Sequence, residues 1–198
     1  SYNLLTRRKR TTFDAGHVQK CLYRPFDVRW LYYSVGLTSR PAWDVMRHML
    51  SKDNLALICL RQTRKGETGT FFVGKNLINK DAVSLFDIGT VFPLFLYDAP
   101  DANQTAMNLG TRRANLSPAF IADAEARLGL RFAQTCKVSE TLQVFTPEDI
   151  FHYAYAVFHS PTYRQRYAEF LKIDFPRLSL TRDVKLFRAL SAHGAQLV

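Results

Sequence analysis

Thr146-Pro-Glu-Asp-Ile-Phe-His-Tyr-Ala-Tyr-Ala-Val-Phe-His159, followed at once by Ser160-Pro-Thr-Tyr-Arg-Gln-Arg-Tyr-Ala-Glu-Phe-Leu-Lys-Ile-Asp-Phe-Pro176, contains two helix starts. Thr146 is a capping residue, Pro147 fits the first helical position, and Glu148 and Asp149 favour the positive end of the helix dipole. Ser160-Pro161 repeats the device. Ile150, Phe151, Ala154, Val157 and Phe158 fall on one helical face, and Tyr163, Tyr167, Phe170 and Leu171 on another. So short a link predicts a helical hairpin over about residues 147–172, its apolar faces turned to a common core. Arg164, Arg166 and Lys172 remain on the outer face, as contacts for phosphate or for another domain.

Working outward from this hairpin, the helical signals cluster in the second half of the chain. Ser117-Pro118 opens a helix that runs through Leu128 and stops at Gly129. Thr181 is the expected cap of a last helix, with Val184, Leu186, Phe187 and Leu190 as its apolar residues and Gly194 as its end. The first half reads as strands. Leu55 to Leu60 is a continuous apolar run, Thr70 to Val73 returns after the polar loop Arg61–Gly69, and Val83–Phe86 and Phe92–Tyr97 add two more. Pro93 points its strand to an edge or a strand start. Tyr23 to Tyr33 reads as a strand buried on both faces, and Ser39 to Lys52 as a helix. His48 beside that helix stripe reads as a packed or capping residue. The fold class is α+β: a mixed, mainly antiparallel sheet lobe packed with a helical second half. The expected divisions are a lead-in over 1–22, a sheet-rich lobe over 23–130 and a helical lobe over 131–198.

Composition limits the function. Hydrophobic residues at 47% and aromatics at 13% describe a globular chain, and 198 residues suffice for one core with a small appendage. No apolar run approaches the roughly 20 residues of a membrane span. Ser1 in place of an initiating Met reads as a boundary within a longer protein. A formal charge of +10 favours a polyanionic partner, nucleic acid first. Cys21, Cys59 and Cys136 form no CxxC and read as thiols in a reducing cytoplasm. No Gly-x-Gly occurs, no two prolines adjoin, and no phosphate-binding lysine loop is present, so no cofactor site and no motor is expected in this chain. Pro100-Asp101 with Asp183-Val184-Lys185 matches a nuclease pattern only on paper, since the dipole of the last helix explains Asp183. His17 with Cys21, or His152 with His159, completes no metal set. Neither a catalytic residue nor a metal ligand is expected.

Tyr23-Arg-Pro-Phe-Asp-Val-Arg-Trp-Leu-Tyr-Tyr33, with Arg40-Pro41 and Met46-Arg-His-Met49 behind it, and the 146–176 stretch together resemble the C-terminal part of Type ISP restriction–modification enzymes and their adenine-methyltransferase relatives. The two blocks cover about a third of the chain and bracket an unmatched middle. The resemblance implies a DNA target-recognition domain, non-catalytic on its own. Its partners would be double-stranded DNA and the methyltransferase and other domains of the same polypeptide. S-adenosylmethionine would be bound in that upstream methyltransferase domain. Candidate DNA contacts come from loop residues that pair phosphate-neutralising cations with base-reading polar groups: Arg61, Gln62, Arg64 and Lys65 on one loop, Lys75 and Asn76 after the next strand, and Arg112, Arg113 and Asn115 farther on. The alternative is a structural or coupling domain that docks other parts of the enzyme without reading bases.

Overall fold

The computed structural model describes residues 12–50, 53–64, 69–98, 112–135 and 143–198. A 3-10 turn, Ala15–His17, leads into a hairpin of β1 (Val18–Arg24) and β2 (Asp27–Tyr32). The short helix α1 (Trp43–Met46) follows, then β3 (Ala56–Leu60), β4 (Phe71–Gly74), β5 (Leu77–Ile78), β6 (Gly89–Pro93), β7 (Phe95–Tyr97) and β8 (Arg112–Ala114). The second half holds α2 (Pro118–Leu128), β9 (Arg131–Phe132), β10 (Val144–Phe145), α3 (Pro147–His159), α4 (Pro161–Arg166), a 3-10 turn at Phe170–Lys172, and α5 (Val184–Leu197). One three-stranded sheet has the order β2-β1-β5 and another β4-β3-β6; β7 pairs with β8 and β9 with β10. Most pairings are antiparallel, with β1–β5 and β9–β10 parallel, which is the expected α+β class.

The local signals in the helical half are realised at atomic level. The Asp149 N–H donates to Thr146 Oγ1 at 3.2 Å and the Thr146 N–H donates to Asp149 Oδ2 at 2.9 Å, a reciprocal capping box. Ser117 caps α2, and Gly129 ends it in the left-handed conformation (φ +64°) that costs glycine no Cβ clash. Pro93 lies on β6, an edge strand of its sheet, where a missing N–H breaks no ladder.

Several expectations are corrected. Tyr23–Tyr33 is not one strand buried on both faces: a turn at Pro25-Phe26 divides it, with Phe26 96% exposed, and β2 is an edge strand with Trp30 69% exposed. Val83–Phe86 forms no strand but a loop whose Leu85 and Phe86 are exposed. The Ser39–Lys52 helix shrinks to the single turn of α1. Arg40 and Ala42 adopt positive φ just before it, and His48 and Met49 close it with i→i−3 hydrogen bonds. In the last helix the cap is Asp183, which accepts from the N–H groups of Lys185 and Leu186, while Thr181 only supports Asp183. Gly194 does not end that helix. It lies inside α5 against α3, where a Cβ would stand 1.8 Å from the His152 carbonyl oxygen.

The expected hairpin therefore has a different main partner. α3 crosses α5, with the Ser191 hydroxyl donating to the Asp149 carbonyl at 3.0 Å and Phe187 packed on Phe145 and Tyr153. α4 is the smaller neighbour. α3 is buried on more than the single predicted face: Ile150 and Tyr153 join Ala124, Leu128, Phe145 and Phe187, while Tyr155 and Phe158 join Cys59 and Phe71 of the sheet. A helix apolar on several sides belongs in an interior, and α3 is the piece shared by both halves. The Tyr153 hydroxyl donates to Ser179 O at 2.9 Å and that of Tyr163 to Arg177 O at 3.0 Å, so the buried aromatic polar groups are satisfied.

Candidate functional site

Three separate segments meet at one end of the β4-β3-β6 sheet. The residues after β3 supply Arg61, Gln62 and Arg64. The segment before β6 supplies Asp87 and Ile88, and Thr90 on β6 pairs with Cys59. The segment after the Phe170–Lys172 turn supplies Ile173. Together they line an open cavity of about 510 Å³. The backbone ties these segments together: the Thr63 N–H donates to Lys172 O at 3.0 Å, and the Arg64 N–H donates to Asp87 Oδ2 at 3.2 Å. Arg64 Nε also lies 3.4 Å from Asp87 Oδ1, and Arg61 Nε lies 3.9 Å from Asp174. Beyond this groove the loop of 83–88 exposes Leu85 (73%), Phe86 and Ile88, an apolar rim beside the arginine–carboxylate pairs.

The side chain of Asp87 is only 4% exposed. Its backbone N–H donates to Ser84 Oγ at 3.0 Å, and that of Phe86 to the same oxygen at 3.1 Å, so a serine turn holds the backbone from which the carboxylate projects. Asp87, Ile88, Thr90 and Ile173 are absent from the sequence candidates. Reading 83–86 as a strand concealed the turn. The available signal was Ser84 placed two and three residues before Phe86 and Asp87, the spacing of a side-chain-closed turn.

Lys75, Asn76, Arg112, Arg113 and Asn115 do not line this groove. Lys75 and Asn76 follow β4, whose last residue Gly74 faces Ala56 at the start of β3, whereas Arg61 follows the end of β3. Four strand intervals of roughly 3.3 Å separate the two ends. Asn115 lies near the Ala56 end too, its amide donating to Pro93 O at 2.9 Å. Arg112 stacks its guanidinium over Phe95, 4.2 Å from the ring centroid, and Arg113 is exposed beside it. Lys65 falls outside the described residues, as do Cys136 and Asp101 of the paper nuclease pattern. Arg164, read as an outer-face cation, instead donates to the Gly69 carbonyl and docks α4 on the β3–β4 connection. Another cavity, about 730 Å³ between β1, β5 and the 38–42 segment, is lined by none of the candidate DNA contacts. Among the described residues no group of three or more His, Cys, Asp or Glu could hold a metal ion. Asp183 serves as the α5 cap, and His17 stacks on Tyr32 and contacts Asp14 at 3.2 Å.

A protein-family model described as the Type ISP C-terminal specificity domain matches residues 2–198. The chain belongs to this family. No curated protein matches it. Among solved structures, the specificity domain is similar to part of a DrdV–DNA complex (TM-score 0.70, 23% identity, covering 94% of this chain and 16% of that one). It is also similar to part of the ATP-dependent Type ISP restriction-modification enzyme LlaBIII bound to DNA (TM-score 0.70, 18% identity, 98% of this chain and 11% of that one). A third is a nuclease-deletion mutant of the Type ISP enzyme LlaGI with a DNA substrate mimic (TM-score 0.63, 21% identity, 96% and 12%). The specificity domain thus spans about a sixth or less of the proteins it resembles. At these identities the likeness shows a shared fold. No helix among its described residues is long and apolar enough to cross a membrane.

Proposed function

We propose that this specificity domain is the DNA target-recognition part of a cytoplasmic restriction–modification adenine methyltransferase, and that it reads bases without catalysing a reaction itself. The observation that carries this reading is the groove of Arg61, Gln62 and Arg64, built by three segments on a rigid sheet end. Arginine and glutamine offer the paired donors and acceptors that match guanine and adenine edges in the major groove. The exposed side chains of Leu85, Ile88 and Ile173 beside them suit contact with thymine methyl groups. The net charge of +10 favours a phosphate backbone, and Lys75, Arg112 and Arg113 fit phosphate contacts that hold register. Membership in a family described as a specificity domain, and the DNA in the structures of similar fold, support the same reading. The chain has no glycine loop for S-adenosylmethionine, which the methyltransferase part of the same polypeptide would bind.

The test is fluorescence anisotropy with a pool of randomised duplexes at low and moderate salt, followed by sequencing of the retained DNA. One enriched asymmetric motif is expected. Replacing Lys75, Arg112 or Arg113 by Ala should weaken binding to all sequences alike and leave the motif intact. The logarithmic salt slope should flatten by about 0.9 for each phosphate no longer neutralised. Salt-sensitive binding without enrichment, or no binding at low salt, would remove the reading role and favour a coupling domain.

A further inference from the structure

Arginines meet DNA in two ways. A solvated guanidinium neutralises phosphate whatever the sequence, and an aimed one forks onto guanine O6 and N7. The two arginines of the groove differ in what holds them. Arg61 lies 3.9 Å from Asp174, with its own side chain 72% exposed and that of Asp174 42%. Arg64 is held at both ends by one buried carboxylate: its backbone N–H donates to Asp87 Oδ2, and its Nε lies 3.4 Å from Asp87 Oδ1. Oδ1 accepts no hydrogen bond from any described residue, so the contact with Arg64 is an ion pair without hydrogen-bond geometry. The Ser84 hydroxyl holds the Asp87 backbone through its N–H, and the carboxylate it carries is buried. The Arg64 side chain is 69% exposed and lines the groove.

This pairing suits one role and opposes the other. A cation neutralised by a fixed carboxylate is a poor phosphate clamp, because the carboxylate repels the phosphate the cation would attract. The same carboxylate restricts the arginine rotamers, so less freedom is lost when the fork meets a base edge. We infer that Arg64, aimed by Asp87, reads one guanine of the target in the major groove, with Asp87 as its positioning residue. The inference rests on the DNA-reading function proposed above and assigns one base to one residue of that site.

The experiment repeats the duplex selection with the 198-residue chain and with R64A, R64K and D87N, adding the R64A/D87N double variant. The wild-type chain should enrich a motif containing a guanine that all three single variants lose. Preference there should fall by roughly 10- to 100-fold, the range of one bidentate base contact. The other motif positions and the salt slope should remain. R64K should fail like R64A, because an ammonium cannot form the fork. The double variant should be no worse than R64A alone. A merely structural Asp87 would instead weaken every position together. The inference is overturned if D87N keeps the guanine, if it alters a different position from R64A, or if R64A weakens all sequences equally with a flatter slope. If D87N fails to fold, R64A and R64K decide, since they change only an exposed side chain; a guanine retained by either overturns the assignment. A wild-type chain that enriches no motif removes the reading function itself, whereas an enriched motif left unchanged by the Arg64 variants removes this assignment alone.

Discussion

His48 is buried, and its Nδ1 accepts the Tyr97 N–H at 3.0 Å, a bond that requires the neutral ring. Its carbonyl accepts from the Asn54 amide, which also donates to Phe95 O, so one histidine ties the segment after α1 to β7. Burial first, then the charges of Arg47 and Arg113, lower its pKa below the ordinary 6.5. His152 and His159 are shifted the same way, chiefly by burial. With the folded values depressed, the unfolded chain takes up protons first as pH falls. This contribution to stability is therefore complete above the unfolded value and is lost as pH drops toward the folded one. The urea midpoint should fall between about pH 7.5 and about 5.5, and His48→Gln should flatten that fall. A midpoint independent of pH over this range would contradict the account.

At the scale of elements, α3 and α5 are joined where glycine permits. The missing side chain of Gly194 lets α5 approach the His152 carbonyl, and Ser191 and Phe187 then seat one and two turns away. Gly194→Ala places a carbon against backbone that cannot yield, so the helices must part. The expected destabilisation is about 3 kcal/mol by urea unfolding, although alanine alone favours a helix by roughly 1 kcal/mol over glycine. A neutral or stabilising result would show that the helices separate without cost. Caps tell the opposite story of locality. Thr146 with Asp149, Ser117 with Phe120, and Gly129 all act within a few residues, which is why these boundaries could be read before folding.

For the molecule as a whole, sheet and helices meet in a shared core cluster. Phe158 of α3 stacks on Phe71 of β4 with ring centroids 4.9 Å apart, and Tyr163 and Leu171 complete that cluster beneath Cys59. Burial drives the Cys59 thiol up to about 12, as expected for a seam closed to water. Both tryptophans, Trp30 and Trp43, lie in the sheet half, while most helix lies in the other. Tryptophan fluorescence should therefore report the first half and far-UV circular dichroism chiefly the second. The two should trace one coincident unfolding transition, and Phe158→Ala should lower both midpoints together, with a loss of about 3–5 kcal/mol in stability. Two separated transitions in the wild-type chain would disprove the shared core.

The amino-acid sequence by itself determined the class, the strands β3 and β4, the bounds of α2 and the start of α3. It also placed His48 in the packing and Arg61, Gln62 and Arg64 on one loop. Each of these depends on neighbours in the chain: a cap, a breaker, or an apolar run of set period. Tertiary structure alone decided that β2 is an exposed edge, that Gly194 is a contact rather than a stop, and that Arg164 is a docking residue. It also decided which cations gather. Lys75 and Arg61 are only 14 positions apart yet stand at opposite ends of a strand pair, whereas Asp87 and Ile173 reach Arg64 across long separations. Distance in the chain carries no information about such meetings, because they are set by strand register and by the packing of α3 and α4 against the sheet.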